Sequence, residues 1–217
     1  MLPTTKKWAA LAAGALVLFA CHTANEWTPR EKTVITRSDS VMYVTTLAAD
    51  STILRTRSTD VPEADSPLLS ELTDKMLQTV KDPSQDGVGI AAPQVGLNRR
   101  VIWVQRMDKE GEPFECYLNI QIDSLFGPME TLEEGCLSVP PLRGRVPRYT
   151  RIRISYTEPG SGERRQETVL GYTARIFQHE CDHLNGVLYI DRADTVFTHH
   201  SWAAARAAFC YDRPAWW

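Results

Sequence analysis

The segment Gln178-His179-Glu180-Cys181-Asp182-His183 carries two imidazoles four residues apart with a carboxylate between them. On a helix, side chains at that spacing stand one turn over each other with Cβ atoms about 5–6 Å apart, so His179 and His183 can hold one metal ion with Glu180 beside it. The chemistry open to such a group is metal-assisted hydrolysis, in which the ion activates water and the carboxylate moves a proton. Cys181 lies roughly 200° around the helix from His179 and is expected to face the core. An ordinary helix carrying two structural histidines is the plainer reading of these residues taken alone.

Two histidines leave a catalytic metal short of its usual three protein ligands. A thermolysin-like site would take a later Glu, and none follows Glu180. A metzincin-like site would take a third His where this chain has Tyr189. Upstream, Glu134-Gly135-Cys136-Leu137-Ser138 offers a thiolate beside a glycine, and Gly87-Val88-Gly89-Ile90-Ala91-Ala92-Pro93-Gln94 offers a glycine-flexed strand ending in an amide. A lone Cys is more often a small buried hydrophobe than a ligand, and a lone Gly-x-Gly says little.

In this order, with Ile90 where Leu is usual, the three segments resemble the signature of the peptide deformylases. Asp50-Ser51-Thr52-Ile53-Leu54-Arg55 is similar to the family's early D-P-x-L-R segment, and Arg143-Gly144-Arg145-Val146-Pro147-Arg148 to its arginine-rich stretch, so the likeness covers residues 45–192. Asn119-Ile120 departs from the usual Asn-Pro, and the tail after Arg192 is unlike a typical deformylase C-terminus. The resemblance implies one divalent metal ion on Cys136, His179 and His183, Fe2+ by family likeness with Zn2+ as the alternative. It implies Glu180 as the general base, with the Gln94 side-chain amide and the Leu137 backbone N–H as oxyanion donors. It places an extended peptide along Val88, Gly89 and Gly135, with Glu134 and Tyr172 beside the methionine pocket. The implied activity is removal of the N-formyl group from formyl-methionyl peptides or nascent proteins. The competing function is an exported, non-catalytic peptide-binding lipoprotein on the same scaffold, which would have no need of Glu180 and Gln94.

Several elements must position these groups. The metal helix is expected to start with Thr173 as its cap and to end at Asn185-Gly186. Ser66-Pro67 opens another helix, with Leu68, Leu69, Leu72, Met76 and Val80 at helical spacing until Asp82-Pro83. Arg100–Gln105 and Tyr149–Thr157 read as strands, the latter alternating Ile152, Ile154 and Tyr156 against Arg151, Arg153 and Ser155. Gly111-Glu112-Pro113, Gly127-Pro128 and Pro159–Gly162 read as reversals. The expected fold is α+β, with mostly antiparallel sheets packed around a central metal-binding helix.

Lys6-Lys7 precede an apolar run over Trp8–Phe19 that is too short for a comfortable membrane span, and Leu18-Phe19-Ala20-Cys21 resembles a bacterial lipobox. Residues 1–21 are therefore expected to be a signal peptide, 22–45 a tether plus a first strand, 46–192 the catalytic domain and 193–217 an atypical tail. Location in the cell envelope, with membrane attachment through Cys21, follows; a start codon assigned too early would instead make the protein cytoplasmic. The 217 residues can bury one substantial core at 43% hydrophobic content, and the net charge of −3 gives no reason to expect nucleic acid. The cluster Arg143, Arg145, Arg148, Arg151 and Arg153 reads as a solvated strand face with carboxylate partners, Glu134 serving Arg148. Cys116, Cys181 and Cys210 show no framework spacing; buried thiols are expected, with a Cys116–Cys210 pair as the alternative.

Overall fold

In the computed structural model, residues 26–85 and 87–198 are described. The first element is set by a reciprocal cap. Thr28 Oγ1 accepts from the Glu31 N–H at 3.2 Å and the Glu31 carboxylate accepts from the Thr28 N–H at 2.8 Å, which starts helix α1 (Pro29–Ile35). Ile35 is fully buried, and Arg99 binds Glu31 at 2.6 and 2.9 Å while its guanidinium lies 5.1 Å over the Trp27 ring. Within the expected tether and first strand, Pro29–Ile35 are thus a docked helix, and residues 36–45 run on irregularly without forming a strand. The signal peptide, Cys21 and Cys210 lie outside the described residues.

Asp50 caps the short α2 (Ser51–Arg55) by accepting from the Ile53 N–H at 3.1 Å. Ser66 caps α3 (Pro67–Lys81) in the same way at 3.3 Å from the Leu69 N–H, and Leu69, Leu72, Met76 and Val80 are buried at the expected spacing. Strands β1 (Gly89–Ala91), β2 (Val101–Gln105), β3 (Phe114–Gly135), β4 (Leu142–Thr157) and β5 (Arg164–Leu170) pair antiparallel in that order. A last strand, β6 (Thr195–Thr198), pairs with Leu142–Arg145 of β4, so the expected tail begins inside the sheet.

Helix α4 (Gly171–Leu184) carries the two histidines and packs on this sheet. Its inner side chains Ala174, Ile176, Phe177, Cys181 and Leu184 meet Ile102, Val104, Tyr117, Ile152, Ile154 and Val169 in one core. Each large apolar side chain buried there contributes about 1.5–3 kcal/mol, so the site's helix is fixed by tertiary packing more than by its own propensity. The α+β architecture agrees with the sequence. Cys181 is 2% exposed, as its angular position predicted, and burial pushes its thiol up to about 12. Cys116 is a free thiol, also pushed up by burial.

Two local expectations differ. Helix α4 starts at Gly171, two residues before Thr173, with Leu170 as its cap and no side-chain bond. Gly127-Pro128 does not reverse the chain: it is a bulge within β3, where the register slips between Phe126 and Met129. The Thr150 hydroxyl on β4 donates to Pro128 O at 3.0 Å and holds that bulge in the sheet.

Candidate metal-binding active site

The i, i+4 spacing on α4 brings His179 and His183 together, their ring centroids 5.1 Å apart. Cys136 arrives from the turn that follows β3, and its Sγ lies 3.2 Å from His183 Nε2. One donor atom from each of Cys136, His179 and His183 lies within 4.8 Å of the others. The Ser138 N–H donates to Cys136 Sγ at 3.4 Å.

The imidazoles are oriented from behind. His179 Nδ1 is 2.9 Å from Glu134 Oε2, which turns the other ring nitrogen toward the thiol, and the ring stacks on Tyr189 at 5.9 Å. Glu134 in turn is bound by Arg148 at 2.6 and 2.9 Å and by Arg175 at 2.6 Å. Arg148 continues to Asp182 at 2.8 Å, and Asp182 to Arg192 at 2.6 and 2.7 Å. Burial alone would raise the Glu134 carboxyl, but the bonds from His179 and Arg148 hold it well below the usual carboxylate range. Burial and the neighbouring His179 push His183 well below its ordinary value, leaving a neutral imidazole. The donor set therefore fits a divalent cation that accepts mixed sulfur and nitrogen ligands.

Glu180 is 4% exposed, and Oε2 of its carboxylate has no hydrogen-bond partner among the described residues. Burial, with help from Glu134 and Asp182, pushes its pKa up to about 7 against the pull of His179 and Arg148. That value suits a group exchanging a proton near neutrality. Strand β1 crosses directly above: a Cβ on Gly89 would stand 2.5 Å from Glu180 Oε1 and 2.9 Å from Ile176. Only glycine lets this backbone approach the carboxylate.

Gln94 sits in the 3-10 turn after β1. Its Oε1 accepts from the Ala91 N–H at 2.9 Å, so its Nε2 points the other way, donating to Ser138 Oγ at 3.3 Å and lying 3.6 Å from Cys136 Sγ. Val88, Gly89, Gln94, Glu134, Gly135, Leu137, Tyr172 and Glu180 border one cleft with Cys136 and His179. All the residues expected to meet a peptide are thus brought together, while His183 is buried behind them. Glu134 borders the cleft, but its carboxylate is engaged with His179 and two arginines, which makes it an orienting group more than a pocket wall. Sequence reading missed Arg175 and Asp182, whose signal was available: Arg175 is four residues before His179, on the same helical face. Gln178, left without a role, ties α4 to β4 by bonds to both backbone groups of Tyr149 at 3.2 and 2.8 Å.

Residues 44–198 match the family model described as polypeptide deformylase. Peptide deformylase 1 of Nitrosomonas europaea is 40% identical over 135 residues, 59% of this chain and 75% of that protein. The Desulforudis audaxviator peptide deformylase is 40% identical over 148 residues, 67% and 90% of the two chains. Among solved structures, the Synechococcus elongatus peptide deformylase in complex with actinonin superposes with a TM-score of 0.64 at 33% identity, covering 73% of this chain and 82% of that one. The Met-Ala-Ser-bound class I type b peptide deformylase of Acinetobacter baumannii gives 0.61 at 36% identity, covering 70% and 98%.

Proposed function

The chain belongs to the polypeptide deformylase family, and on that ground we propose how its residues divide the work of removing the formyl group from N-formyl-methionyl peptides, the reaction it catalyses. Cys136, His179 and His183 would hold one divalent ion, which when bound supplies Lewis acidity and lowers the pKa of a water in its open position. Fe2+ is the ion we assign from the family; Zn2+ suits the same donors and gains weight in an oxidising compartment.

Glu180, buried beneath β1, takes the proton from the attacking water and returns it to the departing amine nitrogen. The Gln94 Nε2 and Leu137 N–H donors face the oxygen of the formyl carbon as it gains charge; a donor of this kind is worth about 100- to 1,000-fold in rate. The peptide backbone pairs with Val88-Gly89 on one side and Gly135 on the other, and its methionine enters the apolar part of the cleft near Leu137, Tyr172 and Ile176. The observation that carries this assignment is the convergence of the three ligands beside a cleft that also presents Glu180 and the Gln94 amide. A non-catalytic binding protein would gain nothing from a buried carboxyl placed there.

The test is formate release from a formyl-Met-Ala-Ser peptide by the metal-reconstituted enzyme. Glu180→Gln is expected to keep fold and metal and to lose more than about 100-fold in kcat, since an amide cannot accept the proton; near-normal turnover by the metal-loaded variant would reject Glu180 as base. We further propose that residues 1–21 direct export and that Cys21 is acylated, which places the enzyme on the outer side of a membrane. The Lys6-Lys7 start, the apolar run and Leu18–Cys21 support this reading. The alternative is a cytoplasmic enzyme translated from a later start.

A further inference from the structure

Strand alternation divides the arginine cluster of β4. Arg148 turns inward to Glu134 and Asp182, and Arg143 lies buried 3.2 Å from Glu133. Arg151 and Arg153 are exposed and make no salt bridge among the described residues. The carboxylate partners expected for this stretch therefore stop short of its outer face.

That face is apolar around them. Arg151 sits in register between Phe126 on β3 and Leu170 on β5, and Arg153 between Ser124 and Thr168. Phe126, Met129 and Leu170 are 37, 52 and 52% exposed, three of the eight large apolar side chains so exposed among the described residues, while Leu125, opposite the buried Ile152, lies on the α4 side of the sheet. Single exposed apolar residues need no explanation, whereas three gathered beside two unpaired cations form a surface that water alone does not suit. The projection is built into the fold. Gly127 has φ +78, a Cβ on it would meet Thr150 Oγ1 at 2.9 Å, and that hydroxyl holds Pro128.

The N-terminus bears on what this face meets. Because α1 is docked, the chain from Cys21 to the first described residue, Glu26, spans five residues and reaches at most about 17–18 Å when fully extended. A domain tied that closely cannot stand clear of a bilayer.

We propose, resting on the lipoprotein reading above, that the outer face of β3–β5 around Phe126–Met129, with Leu170, Arg151 and Arg153, is the surface by which the catalytic domain lies on an anionic bilayer. The apolar side chains enter the boundary between headgroups and acyl chains, and the two guanidinium groups meet lipid phosphates.

The experiment uses the mature protein purified from membranes, reconstituted in vesicles of mixed phosphatidylglycerol and phosphatidylcholine, in phosphatidylcholine vesicles and in detergent micelles. Backbone hydrogen exchange over residues 124–129 is expected to slow at least about fivefold in the anionic vesicles relative to micelles, and less in the neutral ones. Arg151→Glu combined with Arg153→Glu is expected to abolish the anionic preference and to leave turnover of a soluble formyl peptide unchanged. An acylated protein whose exchange at 124–129 is equal in all three media would overturn the docking surface alone. A purified protein whose intact mass carries no acyl chains would overturn the lipoprotein reading and this proposal with it. Protection that appears in micelles and rises with protein concentration would assign the face to a second copy and overturn the bilayer.

Discussion

Glu134 connects the buried charges to the metal ligands: its carboxylate receives Arg148, Arg175 and His179 at 2.6–2.9 Å, so one side chain sets both the tautomer and the tilt of an imidazole. Replacing it by Gln preserves shape but removes the anion. We expect Glu134→Gln to weaken metal binding by about 10- to 100-fold, read from competition with a chelator. The variant should also lose thermal stability, because two buried guanidinium groups then have the Asp182 carboxylate, bound by Arg148, as their one remaining anion, beside neutral acceptors. Unchanged metal affinity with a lowered Tm would make Glu134 a purely structural anchor. Glu180 contrasts with it: one buried carboxyl is held ionised by cations, while the other is pushed up to about 7 by burial. Two carboxylates on one imidazole pair thus take different tasks because their surroundings differ.

At the scale of elements, the metal helix and β1 are locked by a glycine. Gly89→Ala would drive a methyl group into Glu180 Oε1 at 2.5 Å and Ile176 at 2.9 Å. We expect kcat to fall by at least about tenfold, since a misplacement on the 1 Å scale at a reacting group can cost about 100-fold. Metal stoichiometry, set by Cys136, His179 and His183, should persist in that variant. What sequence made legible was whatever depends on near neighbours: the His179–His183 spacing, the Ser66 cap, the buried Ile152 and Ile154, and Cys181 turned to the core. What it hid depends on contacts distant in sequence. Gly127-Pro128 carries the letters of a reversal, and only the Thr150 hydroxyl 22 residues away makes it a bulge. The bond between Glu134 and His179 spans 45 residues and has no local sign. Helix α1 is different, since Thr28-Pro29-Arg30-Glu31 writes out its own cap and the signal was there to be read.

That short helix ties the N-terminal arm to the domain through an ion pair that reports on pH. Burial by itself would raise Glu31, but the hydrogen bonds from Arg99 and Thr28 lower it below its ordinary 4.5. A carboxyl depressed in the folded state stabilises fully above its unfolded value, and the contribution is lost as pH falls through the folded value. Glu31→Gln should therefore lower the Tm at pH 7, and the gap from the parent should shrink as pH falls below about 4.5. A gap independent of pH would assign the loss to packing.

At the scale of the whole molecule, the proposed N-terminal leader is separable in chemistry from the catalytic domain. Cys21 lies far in sequence from all three motifs, so its loss leaves the ligands, Glu180 and Gln94 untouched. Acyl chains on Cys21 would give the two-chain anchoring that stable membrane residence requires, where a single chain binds only marginally. Cys21→Ser is accordingly expected to move the protein out of the tightly bound membrane fraction, so that a wash at high salt, which screens the Arg151 and Arg153 attraction, releases most of the variant and little of the parent. Turnover of a soluble formyl-methionyl peptide should be equal for both once purified and metal-loaded. The two readouts separate place from chemistry. Equal release of parent and variant by salt would reject acylation and return the enzyme to the cytoplasmic reading with nascent chains as substrate, whereas unequal release with equal turnover would put a working deformylase within about 17–18 Å of a bilayer, the reach of five extended residues.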